Sequence, residues 1–484
     1  MIKFTFLLGF AIFSQSLLAV DLIKFPEYFQ FGLANAPAHA EDELHDSWLD
    51  FANDGHVKAY KNQVRPEDRL QFWSNPEIEI DLAASSGIKV FRMGVDWGRV
   101  VPSKPDCDTY SCFKSVLDEA ALERYSYIID YVISKGMKPM VTLFHHSYPR
   151  WGISSGSWAH ESASSQFNHF AASVFKRLSD RVDHWVIFNE PSVYASLTHI
   201  SGTWPSELVG YSMFDQRYYN RAQENMVESQ KFLYDFFHEI KPDVKVGIAK
   251  YITKVTQKTD NRFNKLFLNF LSGKMNYGFI DMSIDHLDFI GVNYYGKEVI
   301  EGFESVIDSS SEYSEAGRAV DPDGLYEVLT YLNEKYNKDQ DRKIPFWITE
   351  NGISDTTDIL RPSYFIEHLM AVRAAMQSGV DVRGYIFWTV SDNWEWADGY
   401  CPKFGLFEVD REHGLERLPR DSFFLFRDVV SSKTVTELQR EEAWQKFRQN
   451  AGKDRYMCRG SKMDEGLDVA RKRKIRRIDW RFSR

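Results

Sequence analysis

The chain carries no excess of basic charge. Lys and Arg number 59 against 69 Asp and Glu, and the net charge of −10 excludes nucleic acid as a partner for the chain as a whole. Cysteine is scarce. The four present, Cys107, Cys112, Cys401 and Cys458, make no CxxC pair and no His/Cys cluster, so neither a metal nor another cofactor is expected. In an exported protein Cys107 and Cys112 would close a small disulfide loop; two free thiols are the other reading. There is no fixed-period repeat beyond the strand–helix alternation described below. Past residue 19 no apolar run is long enough to cross a bilayer.

The first 19 residues stand apart from the fold. Met1-Ile-Lys3 is a short basic start, Phe4–Phe13 is apolar, and Ser14–Ala19 follows. This order fits a secretory signal peptide cleaved after Ala19 and an exported protein. An uncleaved membrane anchor is the alternative, for which the run is short.

What remains is long and apolar enough for a large core, with 43% hydrophobic residues, 13 Trp, 24 Tyr and 36 Phe. Most of those aromatics belong in a core, although flat sugar faces also suit them. Eight apolar segments read as strands: 28–35, 90–97, 138–145, 182–190, 244–249, 288–295, 345–350 and 382–389. Helical runs near 117–135, 165–178 and 220–240 lie between them, while 42–75 is polar and irregular, with Trp48 and Trp73 as anchors. Alternation of this kind predicts an α/β fold, a single (β/α)8 barrel with long βα loops over residues 20–432. Residues 433–484 form a C-terminal extension: a helix over 434–450, then a basic run, Arg471-Lys-Arg-Lys-Ile-Arg-Arg477. The basic run reads as a solvated tail, with contact to an anionic membrane surface as the sharper alternative.

Two of the predicted strands end on glutamate. Pro345-Phe-Trp-Ile-Thr-Glu350 is followed by the turn signal Asn351-Gly352, and Val182–Asn189 runs into Glu190-Pro191. A carboxylate at the end of a buried strand is costly unless something uses or pairs it. In a parallel barrel the C-terminal strand ends converge on one face. Arg92, His145, Asn189, Asn293, Tyr295 and Trp388 fall there as well. Any one of them alone could be an inert core or turn residue; together on one face they argue for a site. Two such acids in one cleft are the apparatus of glycosidic-bond chemistry.

These stretches resemble a known family. Phe188-Asn-Glu-Pro191 and Ile348-Thr-Glu-Asn-Gly352 resemble the two signature motifs of glycoside hydrolase family 1, and Trp388–Trp396 resembles its sugar-binding motif. Phe91-Arg92, Thr142–His145 and Asn293–Tyr295 match in the same order, from about residue 29 to about 430. A narrower resemblance, to the plant freezing-tolerance galactolipid galactosyltransferases, rests on residues 36–42, 67–73, 145–147, 311–318, 393–406 and 479–482. The resemblance implies Glu190 as acid/base and Glu350 as nucleophile, with Arg92 and Tyr295 as partners of the nucleophile. Asn189 would hold the sugar 2-hydroxyl; His145, Asn293, Glu395 and Trp396 would bind the sugar, and Trp388 would stack on it. His39 and His146 depart from the wider family, which has Gln and Trp at these places. The implied substrate is a small or glycolipid β-glycoside, and the acceptor, water or a second sugar, stays open at this point.

Overall fold

The computed structural model describes residues 20–57, 69–210, 215–258, 262–301, 304–307, 310–459 and 466–484. The leader, residues 1–19, lies outside the described residues, as does 58–68 of the polar stretch after the first strand.

Eight strands form a closed parallel barrel. They are β1 (Gln30–Ala34), β2 (Val90–Gly94), β3 (Lys138–Phe144), β4 (His184–Asn189), β5 (Lys245–Tyr251), β6 (Phe289–Asn293), β7 (Phe346–Asn351) and β8 (Val382–Trp388). A helix follows each: α1 (Pro76–Ser85), α2 (Glu119–Ser134), α3 (Ala163–Leu178), α4 (Arg217–Ile240), α5 (Arg262–Ser283), α6 (Pro322–Asn337), α7 (Arg361–Gln377) and α8 (Asp421–Ser432). This is the (β/α)8 barrel that the alternation predicts. It closes where β8 pairs with β1, from Gly384 opposite Gln30 to Trp388 opposite Ala34. The strands read as continuous apolar runs because both faces are covered. One face fills the barrel, and Ala34, Val90, Met140, Val186, Ala249, Phe289, Trp347 and Ile386 supply one inward residue per strand to a single cluster. The other face meets the helices.

Helix α2 shows how the outer ring is encoded. The Asp118 carboxylate caps it, accepting from the Ala121 amide at 2.9 Å, worth about 1 kcal/mol. Ala121, Leu122, Tyr125, Ile128, Ile129 and Val132 fall on one stripe at helical spacing, and all are buried against the barrel. Each large aliphatic side chain so buried contributes about 1.5–3 kcal/mol. Gly136, at φ 76°, turns the chain back into β3.

The long loops all leave the C-terminal strand ends, most extensively after β1, β4, β6 and β8. At the opposite end, strand Asp21–Lys24 pairs antiparallel with Thr434–Thr436. Those last three residues were expected to open a helix. Pairing with the N-terminal strand holds them extended, and helix α9 (Glu437–Asn450) begins after them with a Thr436–Gln439 capping box.

The C-terminal extension packs on the barrel, while Lys472, Lys474, Arg476 and Arg477 of its basic run stay exposed, as the solvated reading has them. Strands Asp454–Arg459 and Gly466–Lys474 form an antiparallel hairpin. Trp444, Phe447, Ile475 and Trp480 share an apolar cluster with Leu360 and Tyr364. The buried Glu367 carboxylate of α7 accepts from Arg440, from Trp444 Nε1 at 2.6 Å and from the Phe482 amide at 2.7 Å. Within the basic run, the Arg473 guanidinium lies 4.8 Å over the Tyr313 ring and donates to the Ser311 carbonyl. A stacked, hydrogen-bonded arginine keeps its charge without being solvated.

Both cysteine pairs form disulfides, Cys107–Cys112 and Cys401–Cys458. The first is one of the two readings of the sequence. The second joins residues 57 apart and was not anticipated.

Candidate active site

A pocket of about 170 Å³ opens among the C-terminal strand ends. Of the residues singled out in the sequence, His39, His145, Asn189, Glu190, Tyr295, Glu350, Trp388, Glu395 and Trp396 line it. Arg92 and Asn293 lie behind the wall, bonded to the carboxylates that do.

Glu350, next to last in β7, receives one donor on each oxygen. Arg92 Nη1 reaches Oε1 at 2.5 Å, and the Tyr295 hydroxyl reaches Oε2 at 2.6 Å. Both partners of the ion pair are buried, so the contact is unscreened. Gly352, two residues on, is required by a close approach: a Cβ there would collide with the Trp388 carbonyl. The turn signal after Glu350 thus marks where β7 leaves the barrel against the end of β8.

Glu190 follows β4 directly and sits in left-handed backbone, φ 45°. Two other pocket residues, His146 at φ 64° and Trp396 at φ 52°, share that conformation. Side chains adopt it at a cost of order 1–3 kcal/mol, and such strain gathers at ligand sites. Asn293 Nδ2 donates to Glu190 Oε1 at 2.8 Å, and His146 Nε2 lies 3.7 Å from Oε2.

Asn189 fixes the tautomers around the pair. Its Oδ1 accepts from Arg92 Nη2 at 2.7 Å and from Asn293 at 3.0 Å, so its Nδ2 must face the imidazoles. It stands 3.0 Å from His145 Nε2 and 3.2 Å from His146 Nε2. Both ring nitrogens therefore accept and carry no proton. Burial agrees, holding the His145 imidazole well below its usual range and that of His146 below it.

The two acids titrate as a pair. Burial pushes the Glu350 carboxyl up to about 7, against the pull of Arg92 and with help from the Glu190 charge. At Glu190 burial also raises, but hydrogen bonding and charge from His146, with Asn293, draw the carboxyl below its ordinary value. These shifts place the shared proton on Glu350; the hydrogen-bond network places it on Glu190, and the network decides. A charged His146 would aim an N–H at the Asn189 amide hydrogens, so the imidazole stays neutral and its charge contribution at Glu190 falls away. Glu190 is then left without the cation that would hold its carboxylate ionised, which favours the protonated acid. Glu350, by contrast, has the Arg92 guanidinium 2.5 Å from its Oε1.

The rest of the pocket suits a neutral polyol. Burial drives His39 down to about 3, so the imidazole is uncharged near neutrality, and burial likewise holds the Glu395 carboxyl well above its usual range. His39 Nδ1 bonds the Trp394 carbonyl and must carry the proton, which leaves Nε2 as a buried acceptor with no hydrogen-bond partner among the described residues. Trp388 Nε1 donates to Glu395 Oε1 at 3.2 Å. Aromatic walls come from Trp388, Trp396 and Trp204.

Several lining residues were not singled out from the sequence. Tyr251 and Trp204 lie outside the segments read as strands and helices. Ser314, Ala316 and Arg318 lie in a stretch noted only for its resemblance to the galactolipid branch. Lys250 is a lysine inside an apolar strand, which is a legible signal; it is fully buried in β5 and donates to the Met275 carbonyl at 2.5 Å. Burial brings its ammonium down to about 7, against the attraction of Glu190.

The sequence profile of glycosyl hydrolase family 1 matches residues 22–269 and 280–435. A chloroplastic galactolipid galactosyltransferase of Arabidopsis thaliana is 39% identical over 94% of this chain and 82% of its own length. A β-galactosidase of Saccharolobus solfataricus is 27% identical, over 86% of this chain and 97% of its own. Among solved structures, a β-glucosidase from Pyrococcus furiosus superposes with a TM-score of 0.76 at 27% identity, covering 88% of this chain and 99% of that one.

Proposed function

The chain belongs to glycosyl hydrolase family 1, and on that premise we propose that it is a retaining β-glycosidase-type enzyme acting on β-galactosides or β-glucosides through a covalent glycosyl-enzyme. In the first step a Glu350 oxygen bonds to the anomeric carbon as the bond to the leaving oxygen breaks. The Glu190 proton passes to that oxygen. In the second step Glu190 takes a proton from the incoming hydroxyl, whose oxygen displaces Glu350. The observation that carries this reading is the unequal environment of the two acids. Glu350 is held on both oxygens and beside a permanent cation, while Glu190 faces a neutral imidazole. Asn189, oriented by Arg92, would meet the 2-hydroxyl, where contacts strengthen in the transition state.

Water as the acceptor makes the protein a hydrolase. Transfer to a second glycolipid is a specific alternative, favoured by the similarity to the Arabidopsis enzyme over most of both chains. The same residues would serve, because the two outcomes differ only in which hydroxyl enters. Export is the location we propose, with an uncleaved N-terminal anchor as the alternative; two disulfides support an oxidising compartment.

The test is product analysis with an aryl β-glycoside and with monogalactosyl lipid in mixed micelles. Retained configuration at the anomeric carbon of the first product is expected, and inversion refutes the covalent route. Oligogalactosyl lipids identify transfer, and free sugar alone identifies hydrolysis.

A further inference from the structure

Cys458 sits at a junction of three segments. Its sulfur is bonded to Cys401, and its amide donates to the Glu315 carbonyl at 2.9 Å. Both partners adjoin the pocket: Ser314 and Ala316 flank Glu315, while Pro402 and Phe404 follow Cys401, and all four line the wall. Glu315 also joins the two segments directly, accepting from the Lys403 amide at 3.3 Å and from Thr356 at 2.7 Å. One residue earlier in the hairpin, Met457 packs with Tyr313 and Ala319.

A second fastening lies at the other end of the same loop. Arg455 and Glu312 form a fully buried ion pair, Nη2 to Oε1 at 2.6 Å, and Arg455 also bonds the Tyr313 carbonyl. The Arg476 amide closes on the other Glu312 oxygen at 2.8 Å, and Arg473 holds the Ser311 carbonyl. The loop that carries Ser314, Ala316 and Arg318 is thus tied down by the C-terminal hairpin rather than by the barrel alone. Glu350 takes its hydrogen bonds from Arg92 and Tyr295, neither of which bonds to the hairpin, and only the Tyr295 ring reaches this wall, 5.8 Å from the Phe404 ring.

We propose that the C-terminal hairpin is a positioning element for the mouth of the pocket. Through Cys458 and Arg455 it sets the 311–318 wall against the 401–404 wall, and so governs how a leaving group or acceptor is held. Arg318, Ser314 and Asp398 make that mouth polar, which suits a hydroxyl-rich group such as a second sugar or a glycerol. The sugar ring would sit between Glu350, Glu395 and Trp388, whose hydrogen bonds do not involve the hairpin, and so should be affected less. This deepens the glycosidase reading and rests on it for the orientation of the substrate.

Binding separates the two ideas, because it requires no turnover. Dissociation constants are measured for a one-ring iminosugar, which fills only the inner pocket, and for a glyceryl β-thioglycoside of the same sugar, whose hydroxyl-rich aglycone also occupies the mouth. The native chain, the C401S/C458S double variant and R455K, which keeps the disulfide, are compared. Both variants should bind the thioglycoside roughly two- to thirtyfold more weakly, the span seen for mutations that couple sites at a distance, with iminosugar affinity unchanged. Equal loss for both ligands would mean a merely structural role and overturn the proposal, as would no change for either. Failure of the native chain to cleave any aryl β-glycoside would instead refute the glycosidase reading and leave this comparison to stand on its own result.

Discussion

Replacing Arg92 by Met tests the assignment of the two acids most directly. Arg92 and Glu350 are about 1% and 4% exposed, and the guanidinium is 2.5 Å from the carboxylate. Removing one partner of such a pair leaves a buried charge without compensation, at about 3–5 kcal/mol. At 1.36 kcal/mol per pK unit, the Glu350 carboxyl rises by roughly 2–4 units. The shared proton then moves from Glu190 to Glu350, so the nucleophile loses its charge and the acid loses its proton. At neutral pH the competent fraction falls by roughly 10²–10⁴, while the acid limb of kcat/KM moves upward by the same 2–4 units. The assay is the pH profile of kcat/KM for a nitrophenyl β-glycoside, with a thermal melt to show that the variant is folded. A uniform loss of rate with the profile in its original place would refute the reasoning, since Arg92 would then only orient groups and not set the charge on Glu350.

Glu350→Ala should abolish turnover, and azide should restore it with inversion; full activity in the variant would end the retaining mechanism. Glu190→Ala should spare substrates with good leaving groups and cripple poor ones, which a leaving-group series of aryl and alkyl glycosides would reveal. The pair should lose its shared proton near the value of about 7 seen for Glu350. Alkyl glycosides, which need the acid, should therefore lose kcat/KM as pH rises through that value, and dinitrophenyl glycosides should not.

The barrel was legible because a parallel sheet covered on both faces must be largely apolar, and the eight runs carry few polar residues away from their ends, Gln30 and Arg92 among them. Glu190 and Glu350 were legible for the same reason: an acid closing an apolar run has no bland explanation. The tautomers of His145 and His146 were not, since they follow from the direction of one Asn189 amide, which only three-dimensional contacts with Arg92 and Asn293 settle. The C-terminal hairpin escaped for another reason. Most of its charges among the described residues are solvated, and the partners that cover Arg455 and Arg473, namely Glu312 and Tyr313, lie more than 140 residues earlier. Cys401–Cys458 was hidden likewise, because spacing marks a local loop such as Cys107–Cys112 and says nothing of a distant pair.

The pairing of Asp21–Lys24 with Thr434–Thr436, and of β1 with β8, has a consequence for biosynthesis. Strand β1 leaves the ribosome long before its second neighbour exists, about 350 residues later in the chain. At about 5–20 residues per second, the open edge of β1 waits roughly 20–70 s for closure, and the N-terminal strand waits longer still. Until then the nascent chain presents an apolar parallel edge with unpaired amides, the surface on which strands of other chains add. Where the barrel closes therefore sets how long this edge is open to mispairing during synthesis.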